Sequence, residues 1–344
     1  MHKFVLIGAV LVLSGCAGNY KTTFDHGEAM EPITVDVVPV LAKEELDVQI
    51  VVADSSAATA QYGLIGALVG AVIDSAVNKR NAVVAERRAE VIRELTGEYD
   101  IVEAAHKATL RIGDHERFAV LAVSEPTTSV GWDDLANDAF ESGTADVVVV
   151  LDFDFALTPT ADQVRVNADQ RVYFRSTAKK KDKNRKPASF RTFTYFSPVQ
   201  TVVNRPFEDG EKEQLLDALQ DDYEERMTAH PDEKDDLEKA MKAEIEDLQK
   251  ADTIPEVLAL RETWTTEQLS RYLDQSIDHI AFMLRHDWES ASVPEESVRT
   301  EDKFVVVNAN GFAMQDKGKD IARLDENEIY RSQWGHMYSV PAPE

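Results

Sequence analysis

The chain has 344 residues, 43% of them hydrophobic, with 37 Lys and Arg against 63 Asp and Glu and a formal net charge of -26. That apolar content suits one large domain or two modest ones with a real core and excludes a wholly disordered chain. So acidic a balance also excludes nucleic acid as an expected partner, because phosphate binding needs a basic face.

At the N-terminus, His2 and Lys3 precede an apolar run from Phe4 to Leu13 that ends in Leu13-Ser14-Gly15-Cys16. A basic start, an apolar stretch of about ten residues and small residues before a cut describe a secretory signal peptide over residues 1–15, because a membrane span needs about 20 residues. The tetrad resembles the bacterial lipobox, and all four positions fit that pattern. The resemblance implies that Cys16 is lipidated and becomes the first residue of the mature protein. It also implies an outer-membrane address on the periplasmic face, since Ala17 stands where Asp would signal retention at the inner membrane. The several acyl chains implied hold a protein down where a single one binds only marginally. Cys16 is the only cysteine, so its acylation leaves no thiol for a disulfide, a thiolate metal site or a nucleophile. Residues 16–32 are polar and aperiodic and read as a tether.

An α/β core is expected over residues 33–206. Ile33 to Val40 and Val48 to Val52 are β-branched runs that suit strands. Apolar residues then recur at helical spacing from Gln61 to Leu95, with Gly97 at the expected C-terminal cap. A short helix over Asp100 to Leu110, a strand over Phe118 to Val123 and a helix over Trp132 to Phe140 follow, the last ended by Gly143. Val147 to Leu157, Val164 to Phe174 and Phe190 to Phe196 form the clearest pattern in the chain, an antiparallel meander with a turn around Thr158-Pro159-Thr160.

Residues 207–253 change character, with 18 acids against 6 bases between Glu208 and Asp252. Their apolar positions lie at helical spacing and predict an acidic helical hairpin turning near His230-Pro231-Asp232. Within residues 254–300 a helix starting at Thr265 or Thr266 packs on the core through Leu269, Leu273, Ile277, Ile280 and Leu284. Short apolar runs from Phe304 onward predict a small β unit over residues 301–344. The fold class is therefore α/β: a mixed sheet with flanking helices and a long meander, an acidic hairpin insertion and a C-terminal β unit.

Four features are candidates for function. Gly66 and Gly70 lie four apart on one helix face, which suits membrane insertion or oligomerisation, but a twelve-residue apolar stretch is too short to span and fits tight packing better. Lys179, Lys180, Lys181, Lys183, Arg185 and Lys186 reverse the prevailing charge where a hairpin tip is expected. They offer a grip for phosphate head groups, lipopolysaccharide or an acidic partner, or else form a solvated loop. Asp152 and Asp154 share a strand face and could in principle pair for catalysis or metal binding, but the wet face of a strand, with Arg165, Asp169 and Arg171 as cross-strand partners, is the favoured reading. Trp132, Trp264, Trp288 and Trp334 could line a ligand groove, yet tryptophans inside helical periodicity are usually core. His279 and His286 are too far apart for one metal ion, and no metal-binding, phosphate-binding or nucleophile-elbow motif occurs. No cofactor or metal is expected.

The order strand, long helix, strand, helix, then Gly143-Thr144-Ala145-Asp146 leading into a hydrophobic strand, resembles the α/β fold of the TolB N-terminal domain, the curli secretion lipoprotein and the lipoprotein activators of penicillin-binding proteins. The resemblance spans Ile33 to Phe196, and the acidic hairpin and C-terminal strands depart from it. No specific activity or functional residue carries over from it apart from Cys16 and the lipobox. A lipid anchor on an α/β body leads to the expectation of a non-enzymatic adaptor or assembly factor of the envelope, with a protein or glycan partner and a possible homo-oligomer. A periplasmic hydrolase with an Asp, Glu or His site and a ring-forming secretion lipoprotein stand as alternatives.

Overall fold

The computed structural model describes residues 32–49, 85–175, 187–290 and 303–342, apart from residues 98, 114, 116, 117, 129, 130, 230, 233, 308–312, 333 and 334. The signal peptide, Cys16, the tether up to residue 31, the Gly66/Gly70 pair and the Lys179 to Lys186 cluster lie outside the described residues.

The core is a mixed sheet. Strand β1 (Ile33–Leu41) runs parallel to both β3 (Phe118–Val123) and β4 (Val147–Leu157), and the short β2 (Asp47–Val48) pairs with the far end of β4. Antiparallel β5 (Val164–Phe174) and β6 (Ser189–Phe196) complete the meander. Val147 to Val150 lie between strands with helices on both faces, which explains four consecutive buried valines. The turn from β4 to β5 is fixed by the Asp162 carboxylate, which accepts from Thr158 Oγ1 (2.6 Å) and Thr160 Oγ1 (2.7 Å).

Helix α1 is described over residues 85–96 and ends at Gly97, whose φ of +58° is the left-handed conformation glycine adopts without strain. Helix α2 (Ile101–Leu110) starts under the Asp100 side chain, which accepts from the Glu103 N–H at 2.8 Å. Both pack on the same sheet face as the odd-numbered residues of β4. Helix α3 (Trp132–Ser142) covers a corner of the opposite face, where Ala136 and Phe140 meet Val38, Val40, Val148 and Val150. Its C-terminus is held by Arg175, which donates to the Phe140, Gly143 and Ala145 carbonyls at 2.7–3.0 Å. A Cβ at Gly143 would lie 2.5 Å from Asp36 Oδ2 and 2.9 Å from the Ala139 carbonyl, so the close approach there requires glycine.

The acidic hairpin is formed by α4 (Glu211–Ala229) and α5 (Lys234–Lys250). Its ends meet: the Ile254 N–H donates to the Arg205 carbonyl at 3.0 Å, which makes the hairpin an insertion. Arg205 bonds Glu211 through both Nη atoms at 2.8 Å and also reaches Glu262 on α6 (Glu256–Thr263), a helix the sequence pattern does not predict. Helix α7 (Thr266–Glu289) begins in a capping box between Thr265 and Gln268 and lays twelve buried residues along the sheet. Among the described residues no helix is long and apolar enough to cross a membrane.

The predicted C-terminal strands are present as β7 (Lys303–Val307), β8 (Ala313–Leu324), β9 (Asn327–Ser332) and β10 (Met337–Pro341). They continue the main sheet. Strand β10 pairs in parallel with β6, so the sheet runs β3-β1-β4-β5-β6-β10-β9-β8-β7. Ile329 and Met337 belong to the main core, and Arg331 meets Asp287 of α7 at 3.5 Å with both side chains buried. His279 is a second joint, with Nδ1 2.7 Å from Ser339 Oγ and Nε2 3.2 Å from Asp325 Oδ2, and burial holds its pKa below the ordinary imidazole value. The parallel pairing buries these apolar positions on the existing core, a contact between segments about 140 residues apart that no local pattern encodes.

Candidate functional site

Two surfaces have the chemistry of a site. The first is the part of the β4-β5-β6 face that lies beyond α3. The register of the β4–β5 pair sets Asp152 directly opposite Asp169 and Asp154 opposite Asn167. Thr192 Oγ1 donates to Asp169 Oδ1 at 2.8 Å, Thr194 Oγ1 donates to Asn167 Oδ1 at 2.8 Å, and Arg165 Nε donates to the same oxygen at 3.3 Å. The Arg171 guanidinium lies 3.2 Å from the centre of the Trp132 ring, and Trp132 in turn bonds Asp152.

Burial pushes the Asp152 carboxyl up to about 6; Asp169 adds to the shift and Arg171 opposes it. Burial likewise raises Asp154, against the pull of Arg165. The face expected to be wet is therefore half-buried, and Asp169 is a like-charged opponent of Asp152, not a pairing partner. Arg165 and Arg171 do act as the expected cationic neighbours. Among the described residues no three His, Cys, Asp or Glu side chains gather as a metal site. Asp152 can hold a proton near pH 6 on this strip, beside Asp169, whose carboxylate accepts from Thr192.

This arrangement has a pH signature. A carboxyl raised in the folded state binds its proton more tightly there than in the unfolded chain. Its contribution is fully favourable below the unfolded value of 3.8 and is lost as pH rises through about 6. Asp152→Asn removes that loss, so thermal melts should show the variant gaining on the native chain between pH 4 and pH 7. Depressed His279 and His286 act in the opposite sense on both chains and cancel in the difference. An unchanged gap across that range would show that Asp152 titrates normally.

The second surface is an open groove of about 710 Å³ between the hairpin and the body, walled by α1, α4, α5 and α6. Leu215 and Leu219 lie one turn apart on α4 and face Leu248, Val257 and Leu258 across it. Four of these are half-buried and Val257 is 37% exposed. Tyr223 closes the floor, buried, with its hydroxyl donating to Glu244 at 2.9 Å. The arginines of the lining are neutralised: Arg87 pairs with Glu244, Arg261 with Glu94 at 2.5 Å and Arg226 with Asp222 at 3.6 Å.

The structure separates the sequence-predicted residues. Trp264 and Trp288 are core, Trp132 lies under Arg171 at the strip, and Trp334 is outside the described residues. The groove was not foreseen.

No protein-family model matches the chain, and neither curated proteins nor solved structures give a match. The class that the coordinates define is that of an α/β protein with helices on both sheet faces and a helical-hairpin insertion.

Proposed function

We propose that the chain is an outer-membrane lipoprotein facing the periplasm, whose α/β body acts by binding, as an adaptor or assembly factor of the cell envelope. The observation that carries this reading is Leu13-Ser14-Gly15-Cys16 at the end of the apolar run, followed by Ala17. The groove beside the hairpin supports it, because a half-buried apolar surface of this size suits a partner. The Lys179 to Lys186 cluster, between β5 and β6 in sequence, is the second contact of this reading.

In fractionated cells the native chain accompanies the outer membrane, and Cys16→Ala, which removes the acyl acceptor, leaves that fraction. Crosslinking in intact cells then recovers a specific envelope protein or glycan with the native chain and less of it with a chain lacking residues 179–186. An unchanged distribution of Cys16→Ala would contradict the anchor, and recovery of the chain alone would contradict the adaptor. A hydrolase is the second reading, favoured by Asp152 sitting near pH 6 opposite Asp169. Loss of a hydrolytic activity in Asp152→Asn would establish it.

A further inference from the structure

We propose that the groove between the hairpin and the body takes a cationic amphipathic helix of a partner protein; this deepens the adaptor reading and rests on it. The walls are themselves helices, with Leu215 and Leu219 one turn apart on α4 and Leu248 and Leu258 on α5 and α6 as further apolar lining. That is the surface an incoming helix fills with residues at i, i+3, i+4 and i+7.

Charge selects the occupant. The arginines of the lining are each paired with an acid, whereas Glu90 and Asp247 at the groove carry no ion pair among the described residues. The hairpin as a whole, lining residues included, carries 18 acids against 6 bases between Glu208 and Asp252. The groove therefore lies in a negative field that attracts a helix flanked by Lys and Arg. The same field disfavours anionic lipid, and it disfavours a second copy of a chain whose own net charge is -26.

The test uses the full lipidated chain in zwitterionic nanodiscs, with empty nanodiscs as control. The probe is a labelled eighteen-residue (~27 Å) helical peptide of leucine and lysine, leucines on one face. Its isomer with scattered leucines and a leucine–glutamate version are the comparisons. The amphipathic cationic peptide should bind best, and Leu219→Asp or the Glu90→Lys, Asp247→Lys pair should each weaken it by about tenfold. Circular dichroism melts of each variant confirm folding, and both exposed charge reversals serve if Leu219→Asp unfolds. Equal binding of the scattered isomer, indifference to the groove variants, preferential uptake of a fluorescent fatty acid, or a dimer abolished by Leu219→Asp would each overturn the proposal. A photo-crosslinker at position 257 in cells separates the two levels. If it still captures an envelope protein while the peptide fails, the helix class is wrong and the adaptor reading stands; if neither binds, both fall.

Discussion

Trp288→Ala should lower the free energy of unfolding by about 3–5 kcal/mol, among the largest losses any single substitution in this chain produces. The indole is fully buried between α7 and the sheet, edge-on to Phe118 with ring centroids 5.3 Å apart. Alanine would leave a cavity that a close-packed interior closes only partly. The ring also donates Nε1–H to Gln170 Oε1 at 2.5 Å, inside the core. Trp288→Phe keeps most of the volume and loses this bond, so its cost should be about 1–3 kcal/mol. Urea unfolding of the two variants separates packing from hydrogen bonding. Similar losses would mean that the hydrogen bond, not the volume, dominates at this position.

The second large effect is expected at the joint between α7 and the C-terminal strands. Arg331 and Asp287 are 5% and 0% exposed and 3.5 Å apart. Arg331→Met removes one partner and leaves the Asp287 carboxylate inside, a change that costs about 3–5 kcal/mol. Adding Asp287→Leu removes the buried carboxylate that faced Arg331, so the double variant should recover part of the loss. This is a double-mutant cycle read by denaturant midpoint. A loss below about 1 kcal/mol in Arg331→Met would show that the C-terminal strands unfold apart from the core.

Local patterns carried most of the elements. The alternation in Val164, Val166, Ala168 and Val172 identifies one face of β5, and all four are buried against the α7 side. Thr265 marks the start of α7 because its hydroxyl and Gln268 can close a capping box, and they do. Asp100 and Gly97 are legible for the same reason, since each satisfies backbone groups within a few residues.

What the sequence hides is contact at a distance. The β6–β10 pairing joins Phe193 to Met337, and nothing near either residue specifies it. Helix α6 is only eight residues long, too short for its periodicity to stand out. The opposition of Asp152 and Asp169 depends on register, which the turn at Thr158 to Gln163 fixes. Counting outward from that turn would have found it, but the raised Asp152 pKa also needs the burial that Trp132 and the neighbouring strands supply. The groove is legible in no single segment, because it exists only where the hairpin lies against α1 and α6.

The most direct test of the lipid-anchored reading is the mass of the N-terminal peptide of the chain recovered from the outer membrane. A peptide beginning at Cys16 and carrying several acyl chains is the predicted result. A chain that still begins at Met1, or one cut elsewhere with Cys16 absent or unmodified, would contradict the account.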